Sequence, residues 1–226
     1  MEQKPVFRHE LKYRLSVAET VLLRQRLRTV MAPDPHAGPD GTYRIRSLYF
    51  DNFADKALKE KADGVPVREK FRLRFYDMDI SLIRLEKKQK RNGLCLKSSC
   101  DISAECCKKL ISGEAWLPEA PHPLMAELDF EMHARLLRPR IIVDYRREAY
   151  VYPFGNVRIT LDSDIRSGLT QTDFLKPNIH LLPAAEGTIL EVKYDGFIPD
   201  LITDILQTGV IRPGAFSKYA ACRQYE

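Results

Sequence analysis

Hydrophobic and polar positions along the chain fall into two periods. Five stretches carry helix signals. Ser16 with Glu19 forms a capping box ahead of the periodic apolar run Val21, Leu22, Leu27 and Val30. Asp51 or Asn52 can cap a short helix that ends before Gly64, and Ser103 can cap Ala104 to Ser112, with Gly113 as its stop. Pro123 stands where a first helical residue would, ahead of LMAELDFEMHARLL, and Pro199 opens DLITDILQT, ending at Gly209. Pro33–Thr42 and Gly113–Pro123 are rich in Pro and Gly and are read as loops, and about Ser163 to Gly187 as irregular.

Between the helices the period shortens to two, and the alternation has an unusual grammar. Arg8, Glu10, Lys12 and Arg14 share one face, opposite His9, Leu11 and Tyr13. Arg44 and Arg46 alternate with Tyr43 and Ile45, and Arg72 and Arg74 with Phe71, Leu73 and Phe75. Arg84, Glu86 and Lys88 oppose Ile83 and Leu85; Arg158, Thr160 and Asp162 oppose Val157, Ile159 and Leu161; Glu191 and Lys193 oppose Leu190, Val192 and Tyr194. One charged stripe is the ordinary solvated face of a strand. Six with the same grammar point elsewhere, because the apolar faces of the helices need partners and the apolar strand faces supply them. The fold class expected is therefore α+β: an antiparallel β-barrel, or tunnel, with a charged interior and helices packed on the outside. So much basic charge is costly to enclose without water or counter-ions, so the interior should be open and suited to a polyanion.

Composition narrows this picture. The 226 residues show no internal repeat and no linker between two compositions, so a single domain over 1–226 is expected. No apolar run approaches the length of a membrane helix, and the charged N-terminus does not resemble a signal peptide. Five cysteines without metal-ligand spacing read as free thiols of a cytoplasmic protein. Net charge is +5, with 36 basic against 31 acidic residues, which favours an anionic partner. Because bases alternate with acids inside strands, a nucleic-acid partner is not expected.

The chemistry that suits this pattern is phosphoryl transfer. Gly93 to Ser98 only faintly resembles a phosphate-binding loop, and no dinucleotide fingerprint or nucleophilic triad is present. Arginines at i and i+2 present several guanidinium forks to one ligand. Carboxylates among them suit a hard cation, so Glu10, Glu86 and Glu191 are candidate ligands for Mn²⁺ or Mg²⁺.

The set HELKY (9–13), YRIRSLYFDN (43–52), KFRLRFY (70–76), LEKKQK (85–90), DYRREAY (144–150), VRITLD (157–162), LEVKY (190–194) and FSKY (216–219) resembles the VTC domain. This is the catalytic domain of the vacuolar transporter chaperone polyphosphate polymerases, within the triphosphate tunnel metalloenzymes. The resemblance runs from about Phe7 to Tyr219. It implies a tunnel that binds the triphosphate of ATP and grows polyphosphate from the γ-phosphate. Carried over by motif, Lys12, Arg72, Arg74, Lys88, Lys97, Arg146 and Arg158 would hold phosphates, with Arg72, Arg74, Lys88 and Arg158 nearest the reaction. Glu191 would hold the metal, and Ser217 and Lys218 would contact polyphosphate. Arg44, Arg46, Asp162 and Lys193 join the set by strand parity alone. The hydrolase branch of the superfamily has ExExK on its first strand; here Arg8 replaces the first glutamate. Polymerase, triphosphate hydrolase and non-catalytic binding module all remain open at this level. Members of the family also carry a regulatory domain and membrane helices, neither of which is seen in this sequence, so a membrane or regulatory partner protein is expected.

Overall fold

The computed structural model describes residues 7–207 and 214–225. Gly209, the expected end of the last long helix signal, and residues 1–6 lie outside it. Ten strands form one antiparallel sheet: β1 (His9–Leu15), β2 (Ala32–Pro33), β3 (Thr42–Asp51), β4 (Val67–Tyr76), β5 (Asp79–Arg91), β6 (Leu94–Ile102), β7 (Arg138–Tyr152), β8 (Val157–Ser167), β9 (Leu182–Ala185) and β10 (Thr188–Tyr194). The main path runs β1-β10-β8-β7-β3-β4-β5-β6, with β2 added to β7 and β9 to β8. Two hairpins are set by their turns. Asp77–Met78 and Asn92–Gly93 both have positive φ at each central residue, the conformation whose twist matches the strands.

The sheet curves until its edges approach. β1 and β6 meet at one bridge, where the Arg8 and Cys95 backbones exchange hydrogen bonds of 2.9 and 3.0 Å. A continuous closed barrel was expected; the β1–β6 ladder does not propagate beyond this pair, so the sheet wraps around a space without closing as a barrel. β8 and β9 also extend into the stretch read as irregular. Asp164 adopts positive φ at a register shift there, which interrupts the alternation that would have revealed a strand.

Helices cover the outer face. α1 (Val17–Val30) starts at the expected capping box: Ser16 N–H donates to Glu19 Oε2 at 2.7 Å, and Glu19 N–H to Ser16 Oγ at 3.3 Å. Leu23 and Leu27 of α1 and Ile202 and Ile205 of α5 (Asp200–Leu206) pack on Val157, Ile159, Leu161, Leu190 and Val192. α3 (Ala104–Ser112) and α4 (Pro123–Ala134) pack on Phe71, Leu73, Phe75, Ile83 and Leu85. α4 stops at Ala134 because Leu136 takes a left-handed conformation. The N-cap of α2 (Lys56–Ala62) is Asp55, in a left-handed conformation and without a side-chain cap bond, and not the expected Asp51 or Asn52. These act from upstream, Asn52 Oδ1 accepting from the Lys56 amide and the Asp51 carboxylate from the Ala57 and Leu58 amides.

A sixth helix, α6 (Lys218–Cys222), lies inside the curve. Its Tyr219 and Cys222 pack with Tyr43, Ile45, Tyr49, Ile141, Val143, Tyr145 and Ile189. The interior thus has an apolar part as well as a charged part. No helix among the described residues is long and apolar enough to cross a membrane.

Candidate functional site

Inward side chains of the sheet, together with residues 214–218, enclose a cavity of about 810 Å³. Among the described residues, 15 of 34 Lys and Arg line it, against five of 29 Asp and Glu, which leaves 19 basic and 24 acidic residues elsewhere. The positive charge of the molecule is therefore concentrated inside it. Of the residues expected at the site, Arg72, Arg74, Lys88, Arg158, Lys12, Lys97, Lys193, Ser217, Lys218, Glu191 and Glu10 line this cavity.

The floor is an alternating lattice of ammonium, guanidinium and carboxylate. Register places Lys12 opposite Glu191 and Glu10 opposite Lys193 across the β1–β10 pair. Lys12 Nζ lies 3.1 Å from Glu10 Oε1 and 3.2 Å from Glu191 Oε1. Lys88 Nζ lies 2.5 Å from Glu10 Oε2. From α6, Lys218 Nζ reaches Asp162 Oδ2 at 2.5 Å and Glu191 Oε1 at 2.8 Å. Burial alone would raise the carboxyl pKa values of Glu10 and Glu191. Lys12 with Lys88, and Lys12 with Lys218, Lys193 and Arg147, overcome it and hold both well below the ordinary range. Burial would lower Lys12, but Glu191 and Glu10 outweigh it and hold it protonated. Ser217 lies on the cavity, and its Oγ also accepts the Ala220 amide at 3.3 Å.

The opposite wall is built on Glu86, which is wholly buried. Arg72 Nη2 lies 2.6 Å and Arg74 Nη1 3.6 Å from Glu86 Oε2, and Lys97 Nζ lies 3.0 Å from Oε1. Arg72 Nη1 also donates to Tyr49 Oη at 2.8 Å, and Arg74 to Ser47 Oγ at 3.0 Å and Tyr145 Oη at 3.2 Å. Both guanidinium groups are thus fixed in orientation before any ligand arrives. Burial would raise the Tyr49 phenol, but Arg72, Lys70 and Arg74 bring it down to about 7. Arg158 is held by Asp34 Oδ2 and by Tyr43 Oη, the latter at 2.8 Å.

Five expected residues do not line the cavity: Arg44, Arg46, Arg146, Glu86 and Asp162, the last wholly buried against Arg147 and Lys218. Arg44 and Arg46 point away from the cavity and grip Asp144 at 2.7 and 2.9 Å; Arg46 also donates to the carbonyl of Lys176 at 2.5 Å. The reason is that β3 and β7 turn their apolar faces inward toward α6, so the rule that charge points in reverses on these two strands. Arg146 follows the same reversal and pairs with Asp40 at 2.5 Å on the exposed side. Its neighbour Arg147 faces in, donating to both Asp162 oxygens at 2.6 and 2.7 Å. Glu86 does not line the cavity; it lies behind the wall, its oxygens paired with Arg72, Arg74 and Lys97. Lys70, Arg147 and the tyrosines 43, 49 and 145 line the cavity without having been expected there. Lys70 shares the parity of Arg72 and Arg74 and was legible on that ground; nothing in the adjacent pair Arg146–Arg147 shows which of them faces in.

No group of three or more His, Cys, Asp or Glu residues that could hold a metal ion occurs among the described residues. The donors that fit a divalent cation are Glu191 and Glu10. Glu10 Oε1 is buried without a hydrogen bond, its near contact being the Lys12 ammonium. Two carboxylates supplemented by phosphate oxygens and water are the usual holding of Mg²⁺ at phosphate sites.

A family model described as the VTC domain matches residues 7–225. A search of curated proteins returns no match. Among solved structures, a candidate adenylate cyclase from Bacillus halodurans aligns at a TM-score of 0.52, with 16% identity, over 91% of this chain and 88% of that one. A protein of Pyrococcus horikoshii aligns at 0.49, with 14% identity, over 97% and 99%. At such identities the structural likeness concerns the fold.

Proposed function

Because the chain belongs to the VTC domain family, we propose that its cavity binds the phosphate chain of a triphosphate, and that it extends polyphosphate with the γ-phosphate of ATP. The observation that carries this reading is the threefold excess of basic over acidic side chains around the cavity, with Arg72 and Arg74 already oriented by Glu86. Forks fixed in this way offer paired donors to phosphate oxygens without loss of side-chain freedom on binding.

In the reaction proposed, a terminal oxygen of the growing chain attacks the γ-phosphorus in line. The bond from that phosphorus to the β–γ bridging oxygen breaks, and ADP leaves with the electron pair. Arg72, Arg74, Lys88 and Arg158 take up the charge that spreads over the equatorial and leaving oxygens. Lys12, Lys97, Arg147, Lys193 and Lys218 hold the flanking phosphates, with Ser217 beside them. Glu191 and Glu10 would hold Mn²⁺ or Mg²⁺, which when bound supplies further neutralisation of phosphate charge.

The test is a product analysis with purified protein, ATP and Mn²⁺, resolving ADP, free phosphate and polyphosphate. Polyphosphate with equivalent ADP supports the polymerase. Free phosphate without chains would make the protein a hydrolase, and unchanged ATP a binding module.

A further inference from the structure

Arg158 of β8, Tyr43 of β3, and Asp34 and His36 of the connection between β2 and β3 meet on one side of the cavity. Among the described residues, every other cation placed at the phosphates takes its carboxylate from a strand of the sheet: Glu10, Glu86, Asp162 or Glu191. Arg158 takes its carboxylate from Asp34 instead. The two oxygens of that carboxylate divide the work. Oδ1 accepts from the His36 amide at 3.1 Å and lies 3.0 Å from His36 Nδ1. Oδ2 accepts from Arg158 Nη2, and from Tyr43 Oη at 3.4 Å, while Tyr43 Oη accepts from the same Nη2 at 2.8 Å. The backbone of Asp34 is fixed as well. Ala32 and Pro33 pair with Val151 and Tyr150, the Asp34 amide donates to the Ala149 carbonyl at 2.9 Å, and the Asp34 carbonyl accepts from the Ala37 amide at 2.9 Å.

Arg158 needs such a hold. Register sets it directly opposite Lys193 of β10, like charge facing like charge, and its side chain is 32% exposed. Repulsion and hydration both draw the guanidinium away from a ligand. Asp34 is only 4% exposed and opposes them from a fixed position. Burial would raise its carboxyl pKa, but the His36 amide and ring, with Arg158, bring it below the ordinary value. We infer that Asp34 is a positioning residue of the phosphate site, which acts through Arg158 and keeps that guanidinium turned to the phosphates. This rests on the reading of the cavity as a triphosphate site. It gives the connection between β2 and β3, expected from the sequence to be a loop, a part in ligand binding.

Charge and position predict opposite signs. A carboxylate that served only as charge would repel the phosphates, so its removal would tighten binding, most of all at low salt. Removal of a positioning carboxylate weakens binding. The experiment is a double-mutant cycle on the full chain: the parent, Asp34→Ala, Arg158→Gln and the two together, titrated with inorganic tripolyphosphate by calorimetry at low and high salt. Arg158→Gln loses about 10–100-fold in affinity, the range for a hydrogen bond to a charged group. Asp34→Ala loses about tenfold in the parent, and within about twofold where Arg158 is already replaced. Asp34→Asn keeps an acceptor oxygen in the same place and recovers part of the loss; where the alanine variant fails to fold, the same cycle with asparagine reads the coupling. Tighter binding in the Asp34 variants would make the residue a counter-ion only and overturn its positioning role. An equal loss with and without Arg158 would overturn it too, since the effect would not pass through that guanidinium. In both cases the parent still binds tripolyphosphate and the triphosphate reading stands. A parent that does not bind tripolyphosphate would overturn both.

Discussion

Arg147 lies flat against Asp162, donating Nε–H and Nη2–H to its two carboxylate oxygens at 2.6 and 2.7 Å, while Arg146 beside it in sequence projects to the other side of the sheet. Burial opposes the charge on Arg147, but Asp162 and its neighbours more than compensate and hold it firmly protonated. Arg147→Ala should weaken tripolyphosphate binding by about 10–100-fold, since a hydrogen bond to a charged group contributes roughly 1.5–3 kcal/mol. Arg146→Ala removes an exposed pair of the kind worth about 0–1 kcal/mol and should stay within about twofold. Calorimetric titration of both variants checks the assignment, and the opposite ranking would sink it.

Glu86→Gln separates counter-ion from metal ligand. The substitution leaves Arg72 and Lys97 facing a neutral amide inside a buried wall, and should cost about 3–5 kcal/mol of stability. Divalent-cation stimulation of ligand binding should survive in whatever fraction remains folded. In Glu191→Gln that stimulation should be lost instead. Denaturant unfolding alongside Mn²⁺-dependent tripolyphosphate binding reads both, and a Glu86 variant that is fully stable but has lost its metal response would refute the assignment.

Anion affinity should fall as pH rises from 7 to 9. Burial, reinforced by Lys88, Lys12 and Arg72, lowers Lys70 to about 8, and burial likewise lowers Lys193 to about 8. Above these values the cavity loses positive charge, and ionised Tyr49, already near 7, acts in the same direction. Each group can contribute at most about a tenfold loss per pH unit. Binding near pH 8 should take up protons, so the observed heat should change with the ionisation enthalpy of the buffer; heats that do not depend on the buffer would contradict this. The free protein behaves oppositely. Between 8 and 10.5 its folded Lys70 and Lys193 bind fewer protons than the unfolded chain, so these groups make stability rise with pH.

Acid should unfold the protein through its buried carboxylates. Glu10, Glu86 and Glu191 are held below their ordinary 4.5 by the cations around them, against the effect of burial. The unfolded chain therefore binds more protons than the folded one below that value. The stability these groups contribute is complete above 4.5 and lost as pH falls toward their folded values. A pH series of denaturant midpoints should show the decline starting near 4.5, and it should be shallower in Glu86→Gln.

Much of the fold was legible because its signals are local. The Ser16–Glu19 box, the Ser103 cap with Gly113, and Pro123 at a helix start act within one turn of chain, and all three helices begin where these residues place them. Parity placed Lys12, Arg72, Arg74, Lys88, Arg158 and Glu191 correctly, because β1, β4, β5, β8 and β10 bury their apolar faces under outer helices. Parity misplaced Arg44 and Arg46, and the resemblance misplaced Arg146, because α6, distant in sequence, supplies an apolar partner on the inside, and no local pattern on β3 or β7 announces that. Glu86 shares the parity of Arg84 and Lys88, but its pairing with Arg72 was not legible: alternation gives direction, whereas the distance from Arg72 is a property of the packed wall.

The uneven placement of charge between cavity and exterior has a colloidal consequence. A pI near 8.9 describes the titration of the whole chain, but a surface or polymer too large to enter meets the charges outside the cavity, which among the described residues that are not buried number 16 basic and 18 acidic. Toward resins, duplexes and other proteins the molecule should behave as a nearly neutral body. Its basic character is reserved for solutes thin enough to pass the mouth, so exclusion by width does the work of selectivity before any individual contact is made.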